Sequence, residues 1–288
     1  MKTFILLLMT GMLASCTTTQ NPASALTSQK TSPNYVVVDY RNIAQEHIKD
    51  YLKAENFWKA IHQERIKDDR MKAWLLLKVV NEEKKEIPYN YITLNVYSDM
   101  EKVSNGGPTN EDFTNAHSDQ YSEQEIQAMG ALTRKVNNII SSDLMKTVSS
   151  IYSLNKYRIA NFMKTAPGQH DAFVKSRQEF TRPIFSRMIH DIDAPMSGWI
   201  LNELVTPDGT EKEYDFVSFD LFKDKSDIGR SNPNRNYTKL AHPDLSNEEA
   251  QATFNKNRGM RKMVRREVWE VIDYAFKDKN LNGVWSFS

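Results

Sequence analysis

The chain has 288 residues, with 38 Lys and Arg set against 37 Asp and Glu and a formal net charge of +1. So even a balance argues against a nucleic-acid partner, because phosphate backbones select for surplus cations. A single cysteine leaves no internal disulfide, so the fold must stand on packing alone.

In chain order the first feature is an address. Lys2 precedes the short apolar run Phe4–Met9, and Leu13-Ala14-Ser15 leads into the lone Cys16. The run is too short for a permanent membrane span and sits where an export signal sits. It resembles a bacterial lipoprotein signal. That resemblance implies that residues 1–15 are removed and that Cys16 is lipidated. Its acyl chains, palmitate among them, would hold the protein on a membrane, each buried methylene contributing about 0.8 kcal/mol. Thr17 in place of Asp after the cysteine implies the outer membrane of the cell envelope. Residues 16–33, rich in Thr, Ser, Gln, Asn and Pro, read as a flexible tether.

Beyond the tether the chain states one pattern twice. Met71-Lys-Ala-Trp74 returns as Met196-Ser-Gly-Trp199, and Tyr89–Asp99 returns as Tyr214–Asp224, both at an offset of 125 residues. Ala116-His117-Ser-Asp119 against Ala241-His242-Pro-Asp244 keeps that offset. A fixed period means a duplicated structural unit. The first copy is assigned to 34–153 and the second to 154–288. Each opens on a strand, Tyr35–Arg41 and Tyr157–Met163. Each continues with a helix, marked by Ile48, Tyr51, Leu52, Trp58, Ile61 and Ile66 in one copy and by Phe173, Val174, Phe180, Ile184 and Met188 in the other. Pro183 is expected to interrupt the second of these helices. Two strands then form a hairpin, closed in the second copy by the turn Thr206-Pro207-Asp208-Gly209. A last helix begins at a Ser-x-x-Glu box, Ser122 with Glu125 and Ser246 with Glu249. Met260, Val264, Val268, Val271 and Ala275 are read as one face of the final helix, and Gly283–Ser288 as a closing strand.

The order βαββα, with an optional terminal strand, is that of a ferredoxin-like half: an antiparallel sheet with helices on one side, hence an α+β fold. Alternation along the third strand separates two faces. Ile92, Leu94 and Val96, matched by Val217, Phe219 and Leu221, are expected beneath the helices. Tyr89, Tyr91, Thr93, Asn95 and Tyr97, matched by Tyr214, Phe216, Ser218, Asp220 and Phe222, are expected to face the other copy's sheet.

Ala166-Pro-Gly168, Gly198-Trp199 and Tyr214-Asp-Phe216 resemble the dimeric α/β-barrel superfamily, which includes the antibiotic-biosynthesis monooxygenase-like proteins. The resemblance implies two ferredoxin-like repeats with their sheets facing as one barrel inside a single polypeptide. It also implies a ligand held between sheet and helices, or within the barrel. Some members surround their substrate with an Asn, a Trp and a His, which would place Asn161, Trp199 and His242 in those roles, with Asp244 beside the histidine. Asp39 stands where Asn161 would in the first copy.

The ligand-facing set is taken as Trp74, Tyr91, Asn95, Tyr97, Trp199, Phe216, Ser218 and Asp220. Trp74 and Trp199 read first as core residues and second as a cavity wall. The His-Asp pairs read first as capping and turn residues, with a general base or metal ligand as the second reading. His47, His62, His170 and His190 are scattered, so no metal ligand set and no cofactor is expected. Lys256, Arg258, Arg261, Lys262, Arg265 and Arg266 crowd one stretch, read as a solvated helical face. Asn105-Gly-Gly-Pro108 lacks the features of a phosphate loop. The favoured function is a non-enzymatic, lipid-anchored envelope protein that binds a small apolar or aromatic ligand or a protein partner. The alternative is a cofactor-independent monooxygenase or haem-handling enzyme. Sequence leaves the oligomeric state open.

Overall fold

The computed structural model describes residues 33–80, 87–151, 154–191, 193–209, 212–230 and 236–277. The signal, nearly all of the tether and the Gly283–Ser288 segment lie outside the described residues. The first half runs β1 (Tyr35–Arg41), α1 (Ile48–Lys67), β2 (Ala73–Val79), β3 (Tyr91–Tyr97), α2 (Met100–Asn105), α3 (Asn110–His117), α4 (Glu123–Val136) and β4 (Ile139–Ile151). The second repeats it: β5 (Tyr157–Thr165), α5 (His170–Ser176), α6 (Arg182–Ile189), β6 (Met196–Thr206), β7 (Phe216–Phe222), α7 (Tyr237–Ala241), α8 (Asn247–Gly259) and β8 (Arg261–Phe276).

Local sequence explains the boundaries. Both Ser-x-x-Glu boxes form: Ser122 and Ser246 each accept from the backbone of the glutamate three residues on, and each glutamate accepts in return. Gly209 takes a φ of +94°, a value glycine tolerates without strain. Between α5 and α6 the chain widens into a π-helical segment, Arg177–Thr181, with Pro183 at the start of α6. Proline cannot donate to the carbonyl four residues back, and the wider turn absorbs that loss.

The strands close a barrel in the order β1-β3-β2-β8-β5-β7-β6-β4. Two seams join the halves, β4 with β6 and β2 with β8, both antiparallel. The tandem ferredoxin-like barrel expected from the repeat is therefore the observed α+β fold. Two finer expectations are corrected. Met260, Val264, Val268, Val271 and Ala275 do not form a helical face: the helix ends at Gly259, and Arg261–Phe276 is a seam strand. The basic stretch is divided accordingly, with Lys256 and Arg258 on α8 and the other four residues on β8.

The second correction concerns the sheet faces, which are exchanged. Ile92, Leu94, Val217, Phe219 and Leu221 fill the barrel interior together with Val36, Val38, Leu75, Phe162 and Trp269. Tyr91, Tyr97 and Trp74 pack instead against α1, and Trp199, Phe216 and Phe222 pack in the second half's helix-side cluster. A barrel interior offers only opposing strands, so it is filled by apolar side chains. A helix can bring polar partners to the sheet, as when Arg65 of α1 donates to the Tyr97 hydroxyl at 3.1 Å.

Tyr89 and Tyr214, just before β3 and β7, do turn inward and help close one end of the barrel. There the Glu267 carboxylate, 1% exposed, accepts from Tyr89 Oη (2.6 Å), Trp269 Nε1 (2.8 Å) and Arg265 Nε (2.8 Å). Tyr214 donates to Asp143 and lies 3.3 Å from the Tyr40 hydroxyl. Burial pushes the Asp143 carboxyl up and the Tyr40 phenol well up. Toward the other end a space of about 70 Å³ remains, lined chiefly by Val36, Leu75, Leu94, Phe219 and Phe276.

Candidate functional site: the clefts between sheet and helices

In the first half a cleft of about 180 Å³ opens between the sheet and the helices α1 and α4. Its floor is Asp39 and Arg41 of β1, Trp74 of β2, and Thr93 and Asn95 of β3. Its roof is Glu55, Trp58 and His62 of α1, with Thr133 and Asn137 at the end of α4. The residues on α1 sit at spacings of three and four, which puts them on one helical face.

Hydrogen bonds fix most of this lining. Arg41 Nε donates to Asn137 Oδ1 at 2.7 Å, and its other nitrogens reach Thr93 and Asp39. Ser142 holds the second Asp39 oxygen at 2.6 Å. Trp58 Nε1 donates to Thr133 Oγ1 at 3.0 Å. Burial raises the Glu55 carboxyl, opposed by Arg41 and the Tyr51 hydroxyl.

His62 has a defined tautomer. Its Nδ1 lies 3.0 Å from Arg65 Nη1, and a guanidinium only donates. Nδ1 therefore accepts, and the single proton of the neutral ring sits on Nε2. Burial, then Arg65 and Arg41, hold the imidazole pKa down to about 3, so the ring is neutral across the physiological range. It stacks on Trp74 with centroids 5.3 Å apart. His62 Nε2, Trp74 Nε1 and the Asn95 amide have no hydrogen-bond partner among the described residues, and all three residues line the cleft. The site thus offers spare donors beside one guanidinium and two carboxyl groups. His62 was not singled out from sequence. Its spacing from Glu55 and Trp58 along α1 was the available signal.

The second half arranges the same positions differently. Asn161 Oδ1 accepts from Arg266 Nε at 2.9 Å, and its Nδ2 donates to Asp220 Oδ2 at 2.9 Å and toward Ser218 Oγ at 3.4 Å. Burial pushes the Asp220 carboxyl up to about 6, against the pull of Asn161, Arg266, Arg177 and Arg261. Trp199 pairs in register with Asp220 and meets Phe185 edge-on. His242 is not brought to this group. Its Nε2 donates to the Phe180 carbonyl at 3.0 Å and its ring stacks on Phe180, as His117 stacks on Phe57 at 3.9 Å in the first half. Both histidines dock a short helix onto a longer one. No hydrogen bond joins His242 to Asp244.

Neither His242 nor His62 is placed to serve as an axial iron ligand. His242 Nε2 is committed to a carbonyl. His62 could free Nε2 for a metal only by protonating Nδ1, which faces Arg65.

The fold defines the class: a dimeric α/β barrel whose two halves lie in one polypeptide. Solved structures share it over most of the chain. A provisionally named monooxygenase from Fusobacterium nucleatum is 12% identical, with 86% of this chain and 96% of that one covered, at a TM-score of 0.50. Another from Lactobacillus acidophilus is 7% identical, with 85% and 96% covered, at 0.51. These likenesses are of fold. No protein-family model matches the chain, and no curated protein matches it.

Proposed function

We propose that this is a lipid-anchored envelope protein whose first-half cleft binds a small aromatic ligand carrying oxygen acceptors. One observation carries the reading: unpartnered donors on His62, Trp74 and Asn95 converge on a space of about 180 Å³. A dry cavity of about 150 Å³ accommodates benzene, so this cleft suits a single substituted ring, whereas the 70 Å³ barrel interior does not. Trp74 and Trp58 supply ring faces, and Arg41 with the donors would orient a phenolic or carbonyl oxygen.

A titration of simple phenols followed by tryptophan fluorescence tests this. Micromolar to millimolar binding should weaken about tenfold or more in His62→Gln and in Asn95→Leu, a loss near 1.4 kcal/mol. Equal affinity in both variants would remove the cleft from consideration. The anchor is tested separately. Labelled palmitate should enter the wild-type chain and not Cys16→Ser, which should leave the membrane fraction.

A second reading, cofactor-independent oxygenation of such a ligand, is favoured by Glu55. Its raised carboxyl faces a cleft where a neutral imidazole, an indole and Arg41 could stabilise a phenolate, the pattern of a proton acceptor beside an oxyanion site. Oxygen uptake with the bound phenol, abolished in Glu55→Gln, separates catalysis from binding.

A further inference from the structure

We propose that the helix–sheet gap of the second half is a binding site for a small oxyanion, held by Arg177, Arg261 and Arg266. The placement of these arginines follows from a slip in the ladder. β5 pairs Asn161 with Arg266 and Phe162 with Arg265, then skips Val264 to pair Met163 with Met263 and Thr165 with Arg261. That skip puts Arg261, Met263 and Arg266 on the face turned toward the helices, while Arg265 lies 3.7 Å over the Phe162 ring in the barrel. Arg177 comes from the opposite side, from the π-helical segment, with its guanidinium 4.8 Å over the Phe173 ring.

Charge in this gap does not balance. None of the three arginines makes an ion pair among the described residues. Arg177 Nη1 donates only to Thr181 Oγ1, at 3.3 Å, and Arg266 donates from Nε to Asn161, leaving its terminal nitrogens unused. Arg261 Nε is buried without a partner. Asp220 is the carboxyl in their midst, and Asn161 already occupies one of its oxygens. Three guanidinium groups around one carboxyl leave a surplus of positive charge. Burial, together with Arg261, draws the Arg177 pKa down to about 10, as expected where cations crowd without counterions. An entering carboxylate or phosphate group would relieve that crowding and accept charge-assisted hydrogen bonds from the planar forks. Arg266 is exposed and Arg177 half-buried, so the gap can be reached from solvent. At the matching place in the first half, Asp39 and Glu55 face Arg41, and no such surplus exists. The inference stands apart from the phenol reading of that other cleft.

Calorimetric titration of the full chain with inorganic phosphate, and separately with acetate, tests the proposal. Either anion should bind and raise the melting temperature at about 10 mM. Affinity should fall about tenfold or more in Arg177→Gln and Arg261→Gln and stay unchanged in Lys135→Gln, an exposed first-half residue. A response to phosphate alone assigns the site to phosphoryl groups, and one to acetate alone assigns it to carboxylates. Should the buried variants fail to fold, the exposed Arg266→Gln gives the same comparison. Absence of heat and of any melting shift with both anions would overturn the proposal, as would equal binding by the wild type and all three arginine variants.

Discussion

Glu267 is a buried carboxylate that ties the two halves of the barrel together. It accepts from three donors drawn from both halves, Tyr89 on one side of the seam and Arg265 and Trp269 on the other. A buried charge satisfied in this way is costly to break, because removing one member strands the rest. Glu267→Ala should therefore destabilise by about 3–5 kcal/mol in urea or thermal unfolding. Glu267→Gln, which keeps one acceptor oxygen, should lose less. A loss under about 1 kcal/mol for the alanine variant would mean that Arg265 finds Glu213 sufficient.

At the scale of the element, legibility followed local rules and failed where geometry was non-local. The capping boxes at Ser122 and Ser246 were readable because every interacting group lies within four residues. The interruption at Pro183 was readable because proline acts on its own turn. β8 was not. Its ladder skips Val264 opposite β5 and Ile272 opposite β2. Each skip breaks the two-residue alternation that marks a strand, and Val264, Val268, Val271 and Ala275 are left at the spacing of a helix. Only the partners' registers reveal the slips. The exchanged sheet faces have a similar origin. Asn95 and Asp220 looked suited to face another sheet until the polar side chains of Arg41, Arg177 and Asn161 were placed beside them. Of the residues in the two clefts, Trp74, Asn95 and Asp220 are legible from strand alternation and the repeat, and Asn161 from the family resemblance. His62 and the arginine gap emerged only from helix placement and the skip in β8.

For the whole molecule, the barrel makes the two copies interdependent. Val36, Leu94, Phe162 and Phe219 belong to one shared interior cluster, so either half alone would expose its inner face to water. Produced separately, segments 34–153 and 154–277 should aggregate or self-associate. Mixed, they should recover a 1:1 complex with the single melting transition of the full chain. Light scattering and calorimetry decide it, and two soluble, folded monomers would refute shared stability. The duplication has also let the copies diverge in charge, one lined by balanced acid and base and the other by surplus arginine.

The position of β8 in the barrel has a temporal consequence. This strand lies between β2 and β5 in the closed ring, yet it is the last of the eight to leave the ribosome. Until some 260 residues have been made, β2 lacks a neighbour and the ring stays open. Contacts spanning nearly the full length of a polypeptide form late and slowly.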